Sequence, residues 1–239
     1  MTAAPGTVGV VVAAAGVGRR FGSAKQHLEL GGRPLVHHSM DAFAIEGVAR
    51  LVLAVREEDV SVFRELAGAW SSSRGSRAPE VDVVSGGARR RDSVLRGLEA
   101  LRGHAEWVLV HDAARPLVTP EDVRQVIEAA RRHGAAAIGT PAQDSMKRVR
   151  EGTIVDEIPR DEVWTVQTPQ GARLDDLIAA YSKDPGTDWT DEASALRAMG
   201  IAVAVVEGSR ENLKITRPGD EAMAERIIEG RRSVGRARG

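Results

Sequence analysis

A chain of 239 residues, 42% of them hydrophobic, is long enough to bury a sizeable core, and a single domain over residues 1–239 is expected. The absence of cysteine excludes a disulfide framework, a thiolate metal centre and a cysteine nucleophile. A formal net charge of −1 lacks the basic excess of a general nucleic-acid binder, so no nucleic-acid partner is expected.

The opening "MTAAPGTVGVVVAAAG" has no basic n-region, and its apolar run breaks at Gly16 and Arg19, well short of a membrane span. A cytoplasmic protein without membrane contact is therefore expected. Short β-branched runs follow at Val8–Val12, Leu51–Val55, Val81–Val84, Trp107–His111 and Ala135–Thr140. Near-continuous apolar strands of this kind suit a parallel sheet covered on both faces. Helical patterns separate them: "LVHHSMDAFA", "DVSVFRELAGAW", "RDSVLRGLEALR" and "PEDVRQVIEAARRHG". The last has Thr119 as N-cap, Pro120 in the first position and Gly134 as its stop. The alternation predicts a doubly wound α/β fold with a mostly parallel sheet, and "SSSRGSRAP" (Ser71–Pro79) reads as a surface loop within it.

Between about residues 145 and 170 charged and β-branched residues alternate around turns at "REGT" and "PRDE", which predicts antiparallel hairpins projecting from the sheet as an arm. A helix near "TDEASALRAMG", a strand in "IAVAVVEG", a short "NLKIT" strand and a helix from Asp220 complete the chain. The terminal "RRSVGRARG" reads as a frayed, solvated tail.

Four clusters carry the chemistry. In "AAAGVGRRFGSAKQ", Gly16 and Gly18 match a dinucleotide fingerprint but Phe21 occupies its third glycine position, and Lys25 lacks the flanking Gly and Ser/Thr of a Walker A loop. A small-residue loop whose N–H groups face phosphates, with Arg19 or Arg20 and Lys25 around them, remains; an ordinary turn with a solvated basic rim is the alternative. "SGGARRRDS" (Ser85–Ser93) can hold a base edge or phosphate through its backbone and Ser93, or can be a helix cap with exposed arginines. Asp112 of "HDAARP" sits at the C-terminal end of a strand, as a Mg²⁺ ligand or as a cap. Lys214 faces opposite to Leu213 and Ile215, toward a cleft or toward solvent.

Together with "DSMKR", "WTVQTPQ", "TDEASAL" and "VEGSRENLKITRP", these blocks resemble in order the 2-C-methyl-D-erythritol 4-phosphate cytidylyltransferase family, from about Val8 to Asp220. The resemblance implies a Rossmann-like nucleotidyltransferase fold in which Ala14, Ala15, Gly16 and Gly18 line a CTP site and Arg20 and Lys25 stabilise charge at the reacting phosphorus. It implies that Gly87 and Ser93 border the cytosine, that Asp112 binds Mg²⁺, and that Ala113 and Arg115 lie beside ribose and metal. Ser145, Arg160, Thr168, Thr190 and Lys214 would surround the polyol phosphate acceptor, Arg160 and Lys214 with a catalytic part. It also implies a homodimer whose arm crosses to the partner site. Ala13, Ala88 and Ser145 depart from the residues common at their positions. A ribitol 5-phosphate cytidylyltransferase and a non-catalytic nucleotide sensor are the competing readings.

Overall fold

The computed structural model describes residues 3–16 and 28–237. Its centre is a seven-stranded sheet built from β1 (Val8–Ala13), β4 (Val48–Val55), β5 (Glu80–Ser85), β6 (Trp107–Asp112), β7 (Ala135–Pro141), β10 (Trp164–Arg173) and β11 (Ala204–Glu207), in the order β11-β7-β10-β6-β1-β4-β5. β1 pairs in parallel with both β4 and β6, and β10 is antiparallel to its neighbours β6 and β7. The chain thus winds outward from β1 to β5 and then returns to β1's other side as β6. That reversal opens a crevice beyond Ala13 and Asp112, where such sheets take ligands. The expected doubly wound, mostly parallel sheet is present.

Side chains alternate along the central strands and fill two cores. Val8, Val10 and Val12 of β1 face α1 (Leu35–Ala42), α2 (Val60–Arg74) and α4 (Pro120–His133), with Met40, Phe63, Trp70 and Val126 in the same cluster. Val11 faces the other way, toward α3 (Arg90–Ala100), α5 (Leu174–Lys183) and α6 (Glu192–Ala198), through Leu98, Leu177, Tyr181 and Leu196. A third cluster joins Leu30 of β2 (Glu29–Leu30), which pairs with β3 (Arg33–Pro34), to Leu117, Ile215 and the helix α7 (Asp220–Ala237), through Ala224 and Ile228.

α4 begins and ends where its sequence signals lie: Thr119 Oγ1 accepts from the Asp122 N–H at 3.1 Å, Asp122 reciprocates toward the Thr119 N–H at 2.9 Å, and Gly134 leaves the helix at φ 92°. Three expectations outside the arm need correction. Ser71–Arg74 continue α2 instead of opening a loop, and the helix stops only at Gly75 with φ 60°. "NLKIT" forms no strand, although Ile215 donates its N–H to Ala114 O at 2.8 Å. The basic C-terminal stretch is helical to Ala237, and Arg231 donates to Leu117 O at 2.9 Å and pairs with Glu211 at 2.9 Å, so it is not a frayed tail.

The arm is a single hairpin, β8 (Met146–Arg150) against β9 (Thr153–Ile158), turning through Glu151 and Gly152 at φ 47° and 78°. Positive φ at both central residues matches the twist of the flanking strands. It is shorter than expected, because from Trp164 onward the chain re-enters the central sheet beside β7. Among the described residues no helix is long and apolar enough to cross a membrane.

Candidate active site

At the switch point between β1 and β6 lies a cavity of about 290 Å³. Ala14, Ala15 and Gly16 form one wall as the chain leaves β1, Gly87 and Ser93 another between β5 and α3, and Asp112, Ala113 and Lys214 the third. Leu35, Val36 and Phe63 supply an apolar floor. Gly18, Arg20 and Lys25 lie outside the described residues.

The β5–α3 loop is closed from within. Ser93 Oγ accepts the Gly87 N–H at 3.0 Å and faces Arg89 O at 3.2 Å, so the hydroxyl shapes the loop that borders the cavity. A Cβ on Gly87 would stand 2.3 Å from Asp92 Cβ, closer than any side chain allows. Glycine is required there by close approach.

Asp112 is the electrostatic centre. Arg90 approaches its Oδ1 through Nε at 3.1 Å and Nη2 at 3.0 Å, and Lys214 Nζ donates to Oδ2 at 2.6 Å. Burial alone would raise this carboxyl, but the charges of Arg90 and Lys214 outweigh it and hold the group well below the ordinary carboxylate range. Arg90 is also bidentate to Glu192, at 2.8 and 3.2 Å, and Glu192 accepts the Tyr181 hydroxyl at 2.9 Å. Burial opposes the charge on Arg90, yet Glu192 and Asp112 more than compensate and raise its pKa. The row Lys214–Asp112–Arg90–Glu192 is formally neutral.

Asp112's backbone is set by a second row. Its N–H donates to Thr168 Oγ1 at 3.0 Å, and that hydroxyl meets His111 Nδ1 at 3.2 Å. His111 Nε2 faces Arg115 O at 3.0 Å and must donate to it, which leaves Nδ1 to accept from Thr168. Burial pushes the His111 imidazole down to about 4, so it stays neutral in this role. Asn212, fully buried, donates to Gln167 Oε1 and Thr168 O at 3.0 Å each and ties the Lys214 segment to β10.

Not every expected residue reaches the cavity of its own chain. Thr168 is 4% exposed and supports Asp112 from behind instead of facing the cavity. Arg115 turns its Nη1 onto Asn212 O at 2.8 Å and does not line the cavity. Ser145 is exposed near the arm's base, Arg160 donates to Gln143 O at 2.5 Å, and Thr190 pairs with Ser194 Oγ at 3.3 Å; none of the three lines it. Lys214 does face the cavity while Ile215 is fully buried, so the expected alternation holds without a strand.

Arg90 and Glu192 have no assigned role in the sequence reading. Both stand inside blocks it singled out, "GGARRRDS" and "TDEASAL". Choosing among three consecutive arginines requires knowing where α3 begins. Arg89 caps the helix by bonding Asp92 at 2.9 Å, Arg91 is buried on the carbonyls of Asp184 and Thr187 at 2.6 Å each, and Arg90, the first helical residue, turns onto Asp112.

The profile of the IspD family, described as 2-C-methyl-D-erythritol 4-phosphate cytidylyltransferase, matches residues 8–230. A protein of that name from Halalkalibacterium halodurans is 37% identical over 224 residues, covering 92% of this chain and 96% of the relative. The crystal structure of 2-C-methyl-D-erythritol 4-phosphate cytidylyltransferase from Thermus thermophilus superposes with a TM-score of 0.75 at 32% identity, over 93% of this chain and 99% of that one. The 4-diphosphocytidyl-2C-methyl-D-erythritol synthase structure from Anaerococcus prevotii reaches a TM-score of 0.80 at 25% identity, over 93% and 98% of the two chains. The chain belongs to the 2-C-methyl-D-erythritol 4-phosphate cytidylyltransferase family, and is a nucleotidyltransferase.

Proposed function

We propose that the enzyme joins CTP to 2-C-methyl-D-erythritol 4-phosphate in the cytoplasm, releasing pyrophosphate and giving 4-diphosphocytidyl-2-C-methyl-D-erythritol for non-mevalonate isoprenoid precursor synthesis. The observation that carries this reading is the cavity at the switch point, where a small-residue wall, a glycine-bearing loop and the Asp112–Arg90–Lys214 cluster converge.

The acceptor's phosphate oxygen attacks the α-phosphorus in line, and the bond to the pyrophosphate oxygen breaks. A phosphate monoester has its second pKa near ~6, so the nucleophile is already ionised at neutral pH and no side chain need remove a proton. What the protein must supply is positioning of two polyanions and cationic charge at the developing phosphoryl oxygens. Lys214 faces the cavity for the first task, and Arg20 and Lys25 are assigned the second.

The donor set fits Mg²⁺ of the kind completed by substrate. Among the described residues no three acidic or histidine side chains converge on one point. Asp112 offers a single carboxylate whose Oδ1 meets both Nε and Nη2 of Arg90, while Oδ2 accepts, among the described residues, from Lys214 alone and keeps a lone pair. One carboxylate plus phosphate oxygens and water is a normal Mg²⁺ environment. Bound there, the ion would neutralise phosphate charge.

The same reading makes the protein a homodimer. Val149, Ile154 and Val155 on the arm are 56%, 62% and 49% exposed, and a two-stranded hairpin is marginal alone. Packing the arm on a symmetry mate would cover these side chains and bring Arg160, with Ser145 nearby, to the partner's acceptor pocket.

The test is a pyrophosphate-release assay with CTP against a panel of polyol phosphates, with and without Mg²⁺. Turnover is expected only with methylerythritol phosphate and divalent metal together. Faster turnover with ribitol 5-phosphate would reassign the acceptor, and no turnover with any acceptor would favour a nucleotide sensor.

A further inference from the structure

Arg90 joins two carboxylates from distant parts of the chain. Nε and Nη2 meet Asp112 Oδ1 at 3.1 and 3.0 Å, while Nη1 and Nη2 donate to Glu192 Oε1 and Oε2 at 2.8 and 3.2 Å. Glu192 is 1% exposed, accepts the Tyr181 hydroxyl at 2.9 Å and does not line the cavity. Its charge reaches the cavity by way of Arg90.

A buried ion pair is a weak source of stability, because desolvation offsets most of the attraction. Orientation is what this arrangement supplies. A planar guanidinium gripped at two edges cannot rotate, whereas an ammonium on a four-carbon stem can. Lys214 has that freedom: its side chain is 42% exposed, and its one hydrogen bond among the described residues is to Asp112. The two oxygens of Asp112 are therefore unequal, Oδ1 under a locked donor and Oδ2 under one free to leave.

We infer that Arg90, anchored by Glu192 and Tyr181, is a positioning residue that fixes Asp112 Oδ1 and so reserves Oδ2 as the oxygen that exchanges Lys214 for the cation accompanying the nucleotide. This rests on the proposed reading of the site, and adds to it that the geometry of Asp112 is set from outside the cavity.

Mn²⁺ binding, read by electron paramagnetic resonance with a non-reactive CTP analogue present, tests it without relying on turnover. Glu192→Gln and Arg90→Lys should each weaken Mn²⁺ binding by about tenfold, the scale expected when the orienting partner of a metal ligand is lost. Metal-free affinity of Glu192→Gln for the analogue should stay close to that of wild type, because Glu192 does not line the cavity. Because both substitutions release the same constraint, the double variant should be no worse than the poorer single one. Unchanged Mn²⁺ affinity in Arg90→Lys, with only a lower Tm, would overturn the inference, as would additive losses in the double variant. Arg90 is partly exposed and decides the matter even if Glu192→Gln fails to fold. Wild-type enzyme that releases no pyrophosphate from CTP would defeat the proposed function; active wild type with unaffected variants would defeat this inference alone.

Discussion

His111 is fully buried with both ring nitrogens engaged, and burial lowers its pKa to about 4 from an ordinary 6.5. Because the folded value is depressed, the unfolded chain binds the extra proton first. The stabilisation is complete above about 6.5 and is lost as pH falls toward about 4, on the order of 3 kcal/mol over that window. His37 and His38, also lowered by burial, act in the same direction. Asp112, an acid with a depressed pKa, loses its contribution only below the ordinary carboxylate range, beneath this window. Urea unfolding from pH 7 to pH 4 without divalent metal should show a steeper loss in wild type than in His111→Gln. Parallel curves would assign the acid sensitivity elsewhere.

Among elements, the β5–α3 loop is the one whose shape the site depends on most. Gly87→Ala places a methyl group against Asp92, inside the hydrogen-bonded turn that Ser93 closes. Because that neighbour belongs to the helix's first turn, the loop must move, at a cost of about 1–3 kcal/mol. KM for CTP should rise while KM for the acceptor changes little, and steady-state kinetics varying each substrate in turn would check this. A rise in both would mean that the strain spreads through α3. The elements were legible where their signals are local, as in the Thr119 cap, Pro120 and the Gly134 stop of α4. They were misread where packing overrides propensity. Three consecutive serines continue α2 because Trp70 before them is anchored in the core and Arg74 after them pairs with Asp41 and lies over the Trp70 ring.

At the scale of the whole molecule, the proposed dimer can be separated from a self-sufficient subunit. Arg160 does not line its own chain's cavity, and its side chain reaches Gln143 O within the arm region. Lys25→Ala and Arg160→Ala should each be nearly inactive alone. After unfolding and reassembly of an equal mixture, half the dimers are mixed and each holds one intact site, so about one quarter of wild-type activity should return. Recovery no greater than that of the separate variants would mean that Arg160 acts within its own chain.

What the sequence determined by itself was local or carried by resemblance. Apolar runs of strand length, separated by helical periodicities, dictated the doubly wound sheet, because burial on both faces leaves few other arrangements. The ordered blocks led to the family, and eight of the residues they named meet at one cavity. Only the tertiary structure decided which side chains orient the rest. Arg90 and Glu192 are 102 positions apart, and neither has a local feature that selects the other. Thr168 lies in a block that reads as substrate-facing, yet the pairing of β10 with β6 turns its hydroxyl onto the Asp112 N–H. A side chain's role at the end of a strand depends on which strand lies beside it, and that is settled by the packing of the whole sheet.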